Sequence, residues 1–264
     1  MKLVCLIKYI SESDRSASGT GQSAPDDGTT RFTINPDDAC ALAFALGLKK
    51  ERPDITLELL TVSTKAVRPL VEDAVRLGVD HATVIQDRET MGNDALTTVG
   101  LLSRYLSEAE ADCILTGSQS HDGGSGCVPP MLAELLGLPQ ISFASSLELP
   151  EGEKGLARFE LADERWVTDY EAELPAMVGF TAMGGHKLPY IRLKDKRRSV
   201  GDQVRLMEPT DAALAGAHGW QPERHTRQVE TRDLPPRTRQ RSVVSVDPNG
   251  IETVVSFLKE KHFI

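Results

Sequence analysis

Hydrophobic positions along this chain switch repeatedly between two periods. Apolar and β-branched runs bounded by polar breakers read as strands, and segments with apolar residues three and four apart read as helices. Leu3–Tyr9 predicts a first strand, followed by an irregular Ser, Gly and Asp-rich stretch from Ser11 to Thr30. Asn35-Pro-Asp-Asp38 opens a helix to about Lys50: Asn35 suits the N-cap, Pro36 the first helical position, and the acids the positive end of the dipole. Ile55–Val62 predicts a second strand, and Val67–Leu77 a helix with Val67, Leu70, Val71, Ala74 and Val75 on one face, ended by Gly78. A third strand at Ala82–Gln86 leads to a helix from about Asn93 to Leu106, and Cys113–Thr116 forms a fourth, wholly apolar strand. A Gly/Ser loop and a helix from about Pro129 to Leu136, stopped by Gly137, complete the series. Such βα units in succession predict an α/β fold with a doubly wound parallel sheet, flavodoxin-like or Rossmann-like.

After Leu138 the pattern becomes alternating, in Ile141–Leu149, Leu156–Leu161 and Trp166–Tyr170, which predicts antiparallel edge strands. Ala176–Thr181 returns as an apolar strand, and from Met183 onward periodicity fades. Gln221–Arg241, rich in Arg, Pro and Gln, holds too little apolar surface to fold alone and reads as an extended C-terminal arm. Pro248–Ile264 recovers as a short helix with Ile251, Val254, Val255 and Leu258 on one side, so it needs something to dock against. The expected division is residues 1–220 as the α/β domain and 221–264 as arm and helix.

Composition narrows the class. At 264 residues the chain can build one large domain or two modest ones and needs no staples. The four cysteines (Cys5, Cys40, Cys113, Cys127) form no C-x-x-C pair, which suggests reduced, intracellular usage. No apolar run approaches a membrane span, and the start reads as a short strand rather than a signal peptide, so a cytoplasmic location is expected. Net charge is −9, yet residues 1–179 carry 15 Lys and Arg against 29 Asp and Glu while residues 180–264 carry 15 against 10. The asymmetry fits either an ordinary solvated face or two parts that meet different partners.

The candidate chemistry lies in Gly117-Ser-Gln-Ser-His-Asp-Gly-Gly-Ser-Gly126. In open α/β sheets ligands bind beyond the carboxyl ends of strands, where helix N-termini present free N–H groups. Gly123, Gly124 and Gly126 let backbone amides approach an oxyanion, and Ser118, Ser120 and Ser125 add hydroxyls. The ends of strand one (Leu6–Lys8) and strand two (Ser63-Thr64), with the Asn35-Pro36 cap, would converge on the same place. A tight turn explains the loop as well, and it matches neither G-x-x-x-x-G-K-[ST] nor G-x-G-x-x-G. His121-Asp122 reads as a solvated pair rather than an acid–base pair, because no nucleophile accompanies it. The remaining histidines lack ligand spacing, so neither a metal site nor a catalytic residue is indicated.

At these residues the chain resembles the β subunit of electron transfer flavoprotein, the EtfB/FixA family, over nearly its whole length. The resemblance rests on Val4-Cys-Leu-Ile-Lys8, Ile34-Asn-Pro-Asp-Asp38 and Leu60-Thr-Val-Ser63. It continues in Asp112-Cys-Ile-Leu-Thr-Gly-Ser-Gln-Ser-His-Asp122, Met131-Leu-Ala-Glu-Leu-Leu-Gly-Leu-Pro-Gln140, Leu188-Pro-Tyr-Ile191 and the C-terminal arm. It implies an electron carrier subunit rather than an enzyme. Such a subunit would pair with an α subunit, share FAD with it, and carry electrons from flavin dehydrogenases to a membrane quinone reductase. It also implies an adenine nucleotide, AMP, bound by Leu6, Asn35, Pro36, Asp37, Asp38, Thr64, Gly117, Ser118, Gln119, Ser120, His121, Asp122, Gly123, Gly124, Ser125, Gly126, Cys127 and Val128. A partner-docking loop would span residues 183–198, with Leu188, Pro189, Tyr190, Ile191, Arg192 and Lys194 at its centre, Leu188 as apolar anchor, and the basic run continuing through Lys196, Arg197 and Arg198.

The commonest family loop has three consecutive acids and then Asn-Gln-Thr, where this chain has Asp122-Gly-Gly124 and Gly126-Cys-Val128. Backbone amides and serines must then supply the contacts. That departure is similar to electron-bifurcating branches, so a β subunit with a second FAD is the alternative. A nucleotide-sensing, stress-protein-like domain is another, against which the long arm argues. An adenylating ATP pyrophosphatase would need a Ser-Gly-Gly loop after strand one, and none is there.

Overall fold

The computed structural model describes residues 1–12, 31–63, 65–86, 95–149, 155–162, 165–209, 243–261 and 263. Contacts divide the chain into two units, Met1–Thr226 and Arg227–Ile264. In the first unit the strands are β1 (Lys2–Leu6), β2 (Tyr9–Ser11), β3 (Phe32–Ile34), β4 (Thr56–Ser63), β5 (His81–Gln86), β6 (Cys113–Gly117), β7 (Gln140–Ala144), β8 (Ser146–Glu148), β9 (Leu156–Ala162), β10 (Val167–Glu173), β11 (Ala176–Phe180) and β12 (Val204–Met207). Its helices are α1 (Pro36–Glu51), α2 (Arg68–Leu77), α3 (Ala95–Ser107), α4 (Val128–Leu136) and the single turn α5 (Leu193–Lys196).

Seven strands form one parallel sheet in the order β12-β5-β4-β1-β6-β11-β7. From β1 the chain builds outward to β4 and β5, then crosses back to place β6 on the other side of β1. The strand order thus reverses between β1 and β6, the switch point at which open α/β sheets form a ligand crevice beyond their carboxyl ends. The doubly wound α/β class expected from the βα succession is the fold observed.

Each face of the sheet carries its own core, because successive side chains of a strand point to opposite faces. Leu3, Cys5 and Ile7 join Ala41, Leu42, Ala45 and Val71 on one face, while Val4 and Leu6 join Val99, Leu102 and Leu132 on the other. Burial pushes the thiols of Cys5, Cys40 and Cys113 up, so these three behave as small hydrophobes.

Three local outcomes depart from the periodicity. The strand expected to run through Tyr9 stops at Leu6, and Tyr9–Ser11 instead pairs antiparallel with Phe32–Ile34. The segment Ile141–Leu149 divides at Ser145, whose amide and hydroxyl both donate to the Glu160 carbonyl at 2.8 and 2.9 Å. Its first half is a parallel edge strand beside β11, and its second half joins β9 and β10 in a separate antiparallel sheet. Val204–Met207, four residues without visible period, forms the opposite edge of the main sheet beside β5.

In the second unit, α6 (Pro248–Glu260) starts at Asp247, whose carboxylate accepts from the Gly250 amide at 2.8 Å. Ile251, Val254 and Phe257 are exposed on this helix. The arm Gln221–Arg241 lies outside the described residues. Among the described residues no helix is long and apolar enough to cross a membrane.

Candidate functional site

The switch point is held by three polar residues at the start of α1, Asn35, Asp37 and Asp38. Asn35 occupies the N-cap position, yet its side chain makes no cap hydrogen bond. It reaches the Gly/Ser loop instead: Nδ2 donates to the Gln119 carbonyl at 2.9 Å, and Oδ1 accepts from the His121 amide at 3.0 Å. Asp37 accepts from the amides of Gln119 at 3.3 Å and Ala182 at 2.8 Å. Asp38 accepts from the amides of Lys8 and Gly117, each at 2.7 Å. Residues expected as helix-start signals thus tie together the carboxyl ends of β1, β6 and β11. The reason is that a buried amide leaving a strand end needs an acceptor, and a carboxylate can take several.

Burial of Asp38 pushes its carboxyl up to about 7, and the neighbouring Asp37 adds to that. Hydrogen bonds from Lys8, Gly117 and Asn35 act in the opposite sense without outweighing burial. Gly117 is required at this contact, since a Cβ there would meet Asp38 Oδ1 and come within 2.8 Å of the Asp38 nitrogen.

Ser118 secures the next position. Its amide donates to the Phe180 carbonyl at 2.7 Å, and its Oγ accepts from the Phe143 amide at 2.9 Å. A Cβ at Gly179 would lie 3.0 Å from that Oγ, at the register shift between β11 and β7. Gly179 therefore belongs to the site's framework although nothing in its sequence context marks it.

The second half of the loop is different in kind. Gly124 and Gly126 have φ of +63° and +60°, a region that disfavours residues with a Cβ. The amides of Gly123, Gly124 and Cys127 bond within the loop, to Asp122, Ser120 and Ser125. Those of Asp122, Ser125, Gly126 and Val128 have no partner among the described residues. The last three lie at the start of α4, where Pro129 and Pro130 contribute no N–H of their own. Lys8 extends from the end of β1 to this loop, with Nζ 2.8 Å from both oxygens of Asp122 and 3.4 Å from Ser120 Oγ. Burial raises the Asp122 carboxyl, but Lys8 and hydrogen bonds from Lys8, Ser120 and Gly123 outweigh it and hold the group below its ordinary value. His121 does not pair with Asp122; its Nε2 lies 3.8 Å from Asp37 Oδ1.

This donor set fits an anionic group: unpartnered amides, glycines in positive φ, serine hydroxyls and one lysine in a loop that leads into a helix N-terminus. Of the positions expected to hold a nucleotide, the structure brings together Asn35 to Asp38 and the loop residues. Leu6 points into the apolar core, so only its backbone borders the crevice, and Thr64 lies outside the described residues. The expected docking residues stand apart from the loop. Leu188 packs partly against the core, whereas Tyr190 is 100% exposed, Met183 88% and Leu193 73%. His186 Nε2 lies 2.9 Å from the Ser145 carbonyl and its ring packs edge-on to Phe44. Arg198 turns back onto the Val75 carbonyl at 3.0 Å, and Arg192 pairs with Asp195, so the basic run is only partly free. Among the described residues no group of His, Cys, Asp and Glu could hold a metal ion.

The fold defines a doubly wound α/β protein whose candidate site lies at the switch point of its sheet. The electron transfer flavoprotein domain model matches residues 27–182, and the chain belongs to that family. Electron transfer flavoprotein subunit beta of Megasphaera elsdenii is 29% identical over 238 residues, covering 86% of this chain and 85% of that protein. The subunit of the same name from Clostridium acetobutylicum is 25% identical over 88% of this chain and 87% of its own length. Caffeyl-CoA reductase-Etf complex subunit CarD of Acetobacterium woodii is 27% identical over 55% of each chain.

Proposed function

We propose that this chain is the β subunit of a heterodimeric electron transfer flavoprotein, with AMP in the β1/β6 crevice and FAD shared with an α subunit. The observation that carries the reading is the set of unpartnered amides of Ser125, Gly126 and Val128 in the loop that Lys8 reaches through Asp122, in a chain of this family. The flavin, when bound, supplies the redox chemistry. The residues of this chain bind and position: Asn35, Asp37 and Asp38 fix the loop, while the loop amides and Lys8 receive the phosphate. Electrons pass from flavin dehydrogenases toward a quinone reductase, in the cytoplasm, with the exposed residues Met183, Tyr190 and Leu193 beside the remaining basic side chains as the docking surface. The C-terminal arm and α6 dock on the α subunit, which would cover the exposed Ile251, Val254 and Phe257.

A second reading, in which the crevice holds a second FAD, is favoured by Gly123, Gly124 and Gly126, which leave backbone rather than large side chains along the loop. It also agrees with similarity to a subunit named for a reductase–Etf complex. Co-expression with the α chain and nucleotide extraction test both. One FAD and one AMP per heterodimer is the expected result, two FAD without AMP selects the second reading, and a stable heterodimer without flavin rejects the assignment.

A further inference from the structure

Resting on that nucleotide reading, we propose that Lys8 is the residue that recognises the phosphate, and that Asp122 is its built-in competitor, released when a phosphate arrives. Asp37 and Asp38 both accept two backbone amides and are buried, so they are committed to the framework. Lys8 is different. Its own amide is held by Asp38 at 2.7 Å, which fixes where the side chain starts, while the ammonium end is about half exposed and reaches the loop.

The group that Lys8 meets there is a carboxylate whose remaining bonds are local, to the Gly123 amide at 2.6 Å. Asp122 is followed at once by two glycines and lies on the half of the loop that holds the unpartnered amides of Ser125, Gly126 and Val128. A carboxylate at 2.8 Å from Lys8 occupies the place at which a phosphate oxygen would gain most from the ammonium. An incoming phosphate offers Lys8 the same charge-assisted contact and takes the free amides as well. Two anions beside one ammonium repel, so Asp122 gives way by rotation about a Gly-flanked segment.

A simple structural pin predicts the reverse for one variant, which makes the two distinguishable. Using the full chain with its α subunit and the crevice nucleotide removed, AMP and adenosine are titrated calorimetrically into the wild type, Lys8→Gln and Asp122→Asn. The expected result is opposite signs: Lys8→Gln weakens AMP about tenfold or more, the loss of one charge-assisted contact, while Asp122→Asn tightens AMP severalfold. Adenosine, without a phosphate, binds all three proteins alike. Lys8 is no phosphate contact if adenosine weakens in step with AMP or if Lys8→Gln leaves AMP unchanged. Asp122 is no competitor if Asp122→Asn weakens AMP. Thermal unfolding of each variant shows whether a loss of AMP reflects a loss of fold, and Lys8→Arg restores AMP binding if charge is what matters. A wild-type protein that binds neither ligand removes the nucleotide reading itself.

Discussion

The two halves of the Gly117–Val128 loop do opposite things with the same backbone groups. From Gly117 to His121 four of the five amides, those of residues 117, 118, 119 and 121, are committed, to Asp38, Phe180, Asp37 and Asn35. From Asp122 to Val128 the bonds are local, and four amides, of residues 122, 125, 126 and 128, are unpartnered among the described residues. A committed amide adds to stability and cannot bind a ligand, whereas a free one costs stability unless water or a ligand satisfies it. The first half is therefore a frame and the second the proposed receptor, and substitutions should separate them.

The largest effect is expected on the frame. Gly117→Ala drives a Cβ against the Asp38 backbone and side chain at a place where both are fixed, and should lower stability by about 3 kcal/mol or more, read as a shift in the urea midpoint. Next comes Asp38→Ala, which leaves the buried Lys8 and Gly117 amides without an acceptor and should cost about 2 to 3 kcal/mol by the same measurement.

Asp38 also gives the frame a pH signature. Its carboxyl is pushed by burial up to about 7 in the folded chain from the ordinary aspartate value of 3.8, so between these values the folded state holds a proton that the unfolded state has lost. Stability from this group is complete below the lower value and declines as pH rises toward 7, by at most about 1.4 kcal/mol per unit. Urea midpoints of the wild type and Asp38→Asn across this window should diverge with that slope, and a constant difference would show the carboxyl to be ionised throughout.

On the receptor half, Gly126→Ala meets a φ of +60° and should cost only about 1 to 2 kcal/mol of stability while weakening AMP in a titration. If stability fell as far as in Gly117→Ala, the division of the loop would fail. The smallest effect on the fold belongs to Tyr190→Ala. A fully exposed side chain should change stability by no more than about 0.5 kcal/mol and leave AMP binding unaltered, while dehydrogenase-linked electron transfer slows in a turnover assay.

Periodicity carried the architecture well where segments were long. The βα units up to Leu136 lie within a few residues of the elements observed, because each buries a continuous apolar face that its sequence must encode. The losses came where pairing depends on distant partners. Val204–Met207 becomes a strand only because β5 offers an open edge, and Ile141–Leu149 divides because Ser145 meets Glu160. At the site, the Gly/Ser loop and the Asn35–Asp38 cluster were legible as residues, and Lys8 was legible as a strand end. Their connections were not. Asn35 and the two aspartates follow every rule for a helix start, and local rules contain no term for a loop some 80 residues later in the chain.

The sequence by itself determined the class of fold, the family and the chemistry available at the loop, since these follow from hydrophobic period, motif spacing and residue type. Only the tertiary structure decided which amides are free, because that depends on which acceptors the folded sheet brings within 3 Å. Gly117, Lys8 and Ala182 lie far apart in the chain and meet at two carboxylates of one helix turn, a coincidence that packing creates. With those acceptors in place, the frame was fixed, and what remained unpartnered is the proposed site.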